Sequence, residues 1–133
     1  MFYQFALPLP ANTAKADEIN LECVLSYGKI RKIDVQFPTG CGGFAHLAID
    51  RFGRQLLPTN TGSYFVSDGE LISSDEDIDI MDRPYSIYLR GYNTDDTYSH
   101  TIYVRVFLHL ELEGVMVQAA EKLSQQLITQ LQE

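Results

Sequence analysis

At 133 residues the chain has the length for one domain and not comfortably for two, and a domain of this size buries roughly two thirds of its unfolded surface without needing covalent staples. Its 10 basic and 18 acidic residues leave a net charge of −8, which argues against nucleic acid or an anionic membrane as partner, since both need clustered Lys and Arg. Cys23 and Cys41 are too few for a disulfide framework and fit no zinc spacing, and no run approaches the ~18 apolar residues of a membrane span.

The first residues alternate, with Tyr3, Phe5, Leu7 and Leu9 on one side, and their prolines place the segment at a sheet edge. Ala14-Lys15-Ala16 loosely resembles a cleavage site. No positive charge precedes position 15, however, and Gln4, Pro8 and Pro10 interrupt the apolar stretch. No signal peptide is expected, and the protein is expected to be made in a cytoplasm.

Period-two alternation, the mark of a strand with one buried face, continues to residue 112. Residues 19–27 turn Ile19, Leu21, Cys23, Leu25 and Tyr27 inward, and residues 31–37 turn Arg31, Ile33, Val35 and Phe37 inward. A hairpin about Gly28 would match the two faces, with Cys23 opposite Ile33 and Leu21 opposite Val35. Cys23 reads as a small core residue. Cys41, between glycines in the 38–43 loop, reads as a loop residue or a reactive thiol, although no basic neighbour is adjacent to lower its pKa. That loop lacks the Lys-Ser/Thr of a phosphate-binding loop and leads into a strand at Phe44 to Asp50. Phe52-Gly53 is a turn into Gln55-Leu56-Leu57, and Tyr64-Phe65-Val66, Leu71-Ile72 and Ile78 to Met81 are short strand candidates.

The acidic stretch from Asp68 to Asp79 superficially suggests calcium. An EF-hand loop starting at Asp75 would need Gly at 80 and Glu at 86, where the chain has Ile80 and Ser86. A solvated edge strand whose like charges discourage aggregation is the simpler reading.

Tyr85 to Tyr92 turns Tyr85, Ile87 and Leu89 inward, and Ile102 to Leu112 turns six aliphatic residues inward. If the polar loop 93–100 closes a hairpin between them, Leu89 faces Val104 and Ile87 faces Val106. The outward face would then set Arg90 against Tyr103 and Tyr88 against Arg105. That is a pattern of local cation–π pairs, of protein interfaces or of a sugar-stacking surface. His46, His100 and His109 are far apart and belong to no catalytic pattern; an enzyme would have to assemble Asp95, Asp96 and His100 from loops. No cofactor or metal site is expected.

After Gly114 the period changes. Met116, Ala119, Ala120, Leu123, Leu127 and Leu131 recur every three or four residues, the stripe of an amphipathic helix of ~18 residues, about 27 Å long. The stripe must be buried on the chain's own sandwich, on a partner or on copies of itself. The expected organisation is a β-sandwich domain, 1–113, and a helix, 114–133, for assembly or docking. The fold class is all-β: an antiparallel sandwich or jelly roll carrying one C-terminal amphipathic helix.

Three stretches are distinctive together: Val35-Gln36-Phe37-Pro38-Thr39-Gly40-Cys41, Gln55-Leu56-Leu57-Pro58-Thr59-Asn60, and Pro84-Tyr85 through Tyr92-Asn93-Thr94-Asp95-Asp96-Thr97-Tyr98 to Val104-Arg105-Val106. Their order resembles small β-sandwich virion proteins of tailed phages. The likeness covers about residues 30–106 and leaves the helix outside. It implies a non-enzymatic virion component, a capsid decoration (cement) protein or otherwise a tail or baseplate accessory. It also implies a homo-oligomer, commonly a trimer, docked on a capsid or other large assembly. Met116, Ala120, Leu123, Leu127 and Leu131 of the helix, with Tyr88, Arg90, Tyr103 and Arg105 of the sheet, are the expected contacts. A carbohydrate-binding module using Tyr88, Tyr92 and Tyr103 is the alternative.

Overall fold

The computed structural model describes residues 1–110 and 122–128. The strands are β1 (Phe2–Leu9), β2 (Ile19–Val24), β3 (Gly28–Gln36), β4 (Ala45–Arg51), β5 (Arg54–Leu57), β6 (Leu71–Ile80), β7 (Ser86–Asn93) and β8 (His100–His109). They form two four-stranded antiparallel sheets, ordered β1-β8-β3-β6 and β2-β7-β4-β5. The first strand pairs with the last, the second with the seventh, the third with the sixth and the fourth with the fifth. This is one long hairpin rolled into a jelly roll, the all-β sandwich that the alternation predicts.

The alternation works as a burial code. Ile102, Val104, Val106 and Leu108 of β8 are at most 2% exposed. They meet Leu7 and Leu9 of β1, Ile33 and Val35 of β3, and the inward faces of the other sheet, including Cys23, Leu47, Ile49, Ile87 and Leu89. The acidic strand β6 lies at a sheet edge as expected, and is one ten-residue strand rather than two short ones.

Both expected hairpins are overturned. β2 pairs with β7, setting Cys23 against Ile87, while β3 lies in the other sheet between β8 and β6. Likewise Leu89 pairs with Leu21 and Ile49, and Val104 pairs with Phe5 and Val35. The physical reason is common to both. Two apolar faces match equally well side by side in one sheet or face to face across a sandwich core, and here the chain crosses between sheets at 25–27 and 94–99. Close packing fixes the first crossing: a Cβ on Gly28 would stand 2.6 Å from the His109 carbonyl oxygen.

Arg31 also departs from expectation. A β-bulge between Ile30 and Lys32 shifts the phase of β3, so that Ile30 is buried and Arg31 points to solvent. At the other end, β8 stops at His109 and Leu110 is 38% exposed. Leu112 and the 113/114 boundary lie outside the described residues.

Candidate interaction surfaces

The rolled topology puts Tyr88 and Arg90 on one sheet and Tyr103 and Arg105 on the other. The single aromatic–arginine face expected from sequence is therefore two surfaces on opposite sides of the sandwich. Tyr88 lies between Glu22 and Asp50, and Tyr103 between Ala6 and Gln36.

On the β2-β7-β4-β5 sheet, Arg90 is consumed by its own chain. Its Nε and Nη2 grip the Asp50 carboxylate at 2.7 and 3.2 Å. Nη2 also donates to Gln55 Oε1 at 3.1 Å, and Nη1 to Glu18 Oε2 at 3.1 Å and the Tyr64 hydroxyl at 2.8 Å. Tyr64 in turn donates to Glu18 Oε1 at 2.9 Å. One guanidinium thus ties β7 to β4, to β5, to the start of β2 and to the 58–66 connection. The Asp50 hydrogen bond, outweighing partial burial, holds the Arg90 pKa above its ordinary value. Beside it, His46 stacks on Tyr92 with ring centroids 4.2 Å apart, and Tyr64 meets both rings edge-on. Burial lowers the His46 pKa, against the opposing effect of its hydrogen bond to the Phe44 carbonyl. Sequence reading missed this cluster because Glu18, His46, Asp50, Gln55, Tyr64 and Arg90 share no local spacing.

The outer face of the β1-β8-β3-β6 sheet is more open. Phe2 packs on Phe107 with centroids 5.1 Å apart, and Lys32 sits over Phe107. Phe2, Leu71 and Tyr103 are 54%, 50% and 41% exposed. Arg105 donates to Gln4 Oε1 at 3.4 Å. Asp34 beside it is buried, and its Oδ1 accepts no hydrogen bond among the described residues, the Lys32 ammonium standing 3.9 Å away. Along the edge, Asp77 takes Lys29 and Arg31 at 3.2 and 3.1 Å, and Asp79 takes Lys29 at 3.5 Å. The acidic strand is therefore partly neutralised by β3, and Asp77 foremost raises the Lys29 pKa. No cluster of three or more His, Cys, Asp or Glu side chains arranged for a metal occurs among the described residues.

Asp95 and His100 do meet, at 2.8 Å, and both are buried, whereas Asp96 is exposed. Asp95 Oδ1 also accepts the Thr97 and Tyr98 amides, so the pair closes the 93–100 turn. The thiols are likewise internal. Cys23 is fully buried, and burial first, then Glu22, pushes its pKa up to about 12. Cys41, also fully buried, donates to the Ser67 carbonyl at 2.8 Å.

Residues 122–128 are helical, and every one is exposed. Leu123 and Leu127 are each 61% exposed and Ile128 is 55% exposed. Met116, Ala120 and Leu131 lie outside the described residues. No helix among the described residues is long and apolar enough to cross a membrane.

A last feature is an open cleft of about 530 Å³ between the edge strands β5 and β6, lined by Arg51, Phe52, Arg54, Leu56, Ile78, Asp79 and Asp82. β5 has four residues and β6 has ten, so the two sheets do not close on this side. No protein-family model matches the chain, and no curated protein is significantly similar to it.

Proposed function

We propose that this is a non-enzymatic structural protein that stabilises an assembly by protein–protein contacts, a phage virion component of the capsid decoration (cement) type. The observation that carries this reading is the exposure of Leu123 and Leu127 on the C-terminal helix. The sandwich fills its own core, and Leu108 is the last core residue among those described. Apolar helix side chains left in water are a contact surface awaiting its partner. Burying each leucine contributes about 1.5–3 kcal/mol, enough for a few of them to hold a contact. The jelly roll fits the reading as architecture, because capsid domains use it. The resemblance over residues 30–106 adds the viral setting.

Jelly rolls also serve as lectins. The carbohydrate reading has less support here. Tyr103 lies in the other sheet from Tyr88 and Tyr92, and Tyr92 is stacked on His46. An oligomer, with a trimer as the favoured form, is the expected state, held through the helix and one sheet face. Light scattering on the full chain and on residues 1–113 tests it. An oligomer that becomes a monomer on truncation supports assembly through the helix. A monomer in both cases, 15.1 kDa for the full chain, refutes self-assembly and redirects the search to ligands of the aromatic clusters.

A further inference from the structure

We infer that the outer face of the β1-β8-β3-β6 sheet packs on the same face of a second copy, about a two-fold axis that sets Arg105 of each copy on Asp34 of the other. The inference rests on the assembly reading above and names the sheet face which that assembly uses. Asp34 carries it. It stands at the centre of the face, between Arg105 of β8 and Ser73 of β6. Its side chain is only 10% exposed, yet its Oδ1 accepts no hydrogen bond among the described residues. The Lys32 ammonium, 3.9 Å away, is beyond hydrogen-bond distance, and its side chain is 42% exposed and able to give way. A buried carboxylate oxygen in this state costs free energy that a charged donor recovers.

The donor stands on the neighbouring strand. Arg105 makes one long hydrogen bond, 3.4 Å from Nε to Gln4 Oε1, and its Nη1 and Nη2 nitrogens make none among the described residues. Within one chain it lies directly opposite Asp34 and leans away toward β1. The sheet order β1-β8-β3-β6 is symmetric about a line between β8 and β3. A two-fold axis along that line lays β8 of each copy over β3 of the other, so the Arg105–Asp34 contact is made twice. The next row follows. Tyr103 falls on Gln36, whose Nε2 is taken by the Phe37 and Glu70 carbonyls and whose Oε1 is left to accept the Tyr103 hydroxyl. Leu71 falls on Ala6. A two-fold axis across the strands at the same point sets Asp34 on Asp34 and Arg105 on Arg105. The charges therefore select one register.

The area agrees. Four strands about 4.8 Å apart, over the eight residues of β1 at about 3.3 Å each, cover roughly 500 Å² per copy, about 1,000 Å² for the pair. The exposed Phe2, Leu71 and Tyr103 supply its apolar part. This is near the lower limit for a specific contact, so the face holds beside the helix contact rather than in its place. A contact between identical faces closes on itself and leaves the β2-β7-β4-β5 sheet outside it.

The test follows the full chain by sedimentation over a range of concentrations, with folding verified by far-ultraviolet circular dichroism. Arg105→Glu sets carboxylates together and Asp34→Lys sets cations together, so each variant alone is expected to associate about tenfold more weakly or worse. Their equimolar mixture restores opposite charges at both positions and is expected to recover the wild-type oligomer. An oligomer indifferent to Arg105→Glu, or a mixture of folded variants that does not recover, overturns the face contact and leaves the assembly reading standing. A wild-type chain that is monomeric at every concentration overturns both. Cross-linking tests the register without touching Asp34. Gln4 and Ser73 are exposed on the two outer strands, three strand spacings or about 14 Å apart in one chain. The axis sets Gln4 of one copy on Ser73 of the other. Gln4→Cys/Ser73→Cys treated with a short bismaleimide is expected to give covalent dimers and nothing larger, since Cys23 and Cys41 are fully buried. Monomeric products alone, larger multimers, or dimers from Gln4→Cys by itself overturn the pairing.

Discussion

His100 Nε2 lies 2.8 Å from Asp95 Oδ2, both side chains buried where the chain passes from one sheet to the other. The other carboxylate oxygen accepts the amides of Thr97 and Tyr98. The Thr97 amide first, and then His100, hold the Asp95 carboxyl below its ordinary value of 3.8. A carboxyl whose folded pKa is depressed contributes stability that is fully present above its unfolded pKa. That contribution disappears as the pH falls through the folded value. Asp95→Asn is therefore expected to lower the urea midpoint at pH 7, with the gap to wild type narrowing toward pH 3. A gap that stays constant with pH would show that the charge contributes nothing.

Arg90 binds four partners from four different segments, and its side chain is only 24% exposed. Lysine keeps the charge and loses the planar fork that grips Asp50 with two bonds. Arg90→Lys leaves Gln55, Tyr64 and one of the two acids short of a donor. The expected loss is about 2–4 kcal/mol of folding stability, read by urea denaturation. Oligomer formation by the folded fraction should be unchanged, because the side chain serves its own domain. A variant that folds normally and fails to assemble would return Arg90 to the interface.

Much of the fold was legible in sequence, because inward alternation needs only the order of residues. Every aliphatic residue expected inward on β8 between Ile102 and Leu108 is buried, and β1 and β6 are edge strands as their prolines and acids imply. Pairing was not legible. Leu89 and Val104 both face the core, and facing a core does not distinguish a sheet neighbour from a residue across the sandwich. The bulge that turns Arg31 outward carries no residue signature either. The Arg90 cluster and the β5–β6 cleft arise from strands brought together only by the rolled topology, so no local spacing announces them.

Gly91 shows how tightly the rolled sheets pack. A Cβ there would stand 2.7 Å from the His46 carbonyl oxygen and 3.1 Å from Leu7 Cδ2. The first neighbour is backbone of the adjoining strand β4 and the second belongs to β1 in the facing sheet, so β4 can yield only by bending. Gly91→Ala is expected to cost about 1–3 kcal/mol, measured as a lower thermal or urea midpoint. Unchanged stability would mean that β4 bends away from β7 at His46 without cost.

Leu127 separates folding from assembly. At 61% exposure it contributes little to the sandwich, so Leu127→Glu should leave the unfolding transition of the β domain within about 0.5 kcal/mol of wild type. In an assembly that buries the stripe, the same change places an unpaired carboxylate in an apolar contact and forfeits the leucine's burial. Several kcal/mol are lost at each contact, enough to dissolve the oligomer. The expected result is a folded monomer by light scattering beside an oligomeric wild type. If Leu127→Glu assembles as wild type does, the helix stripe is not the adhesive, and the exposed Phe2, Leu71 and Tyr103 become the surface to change next.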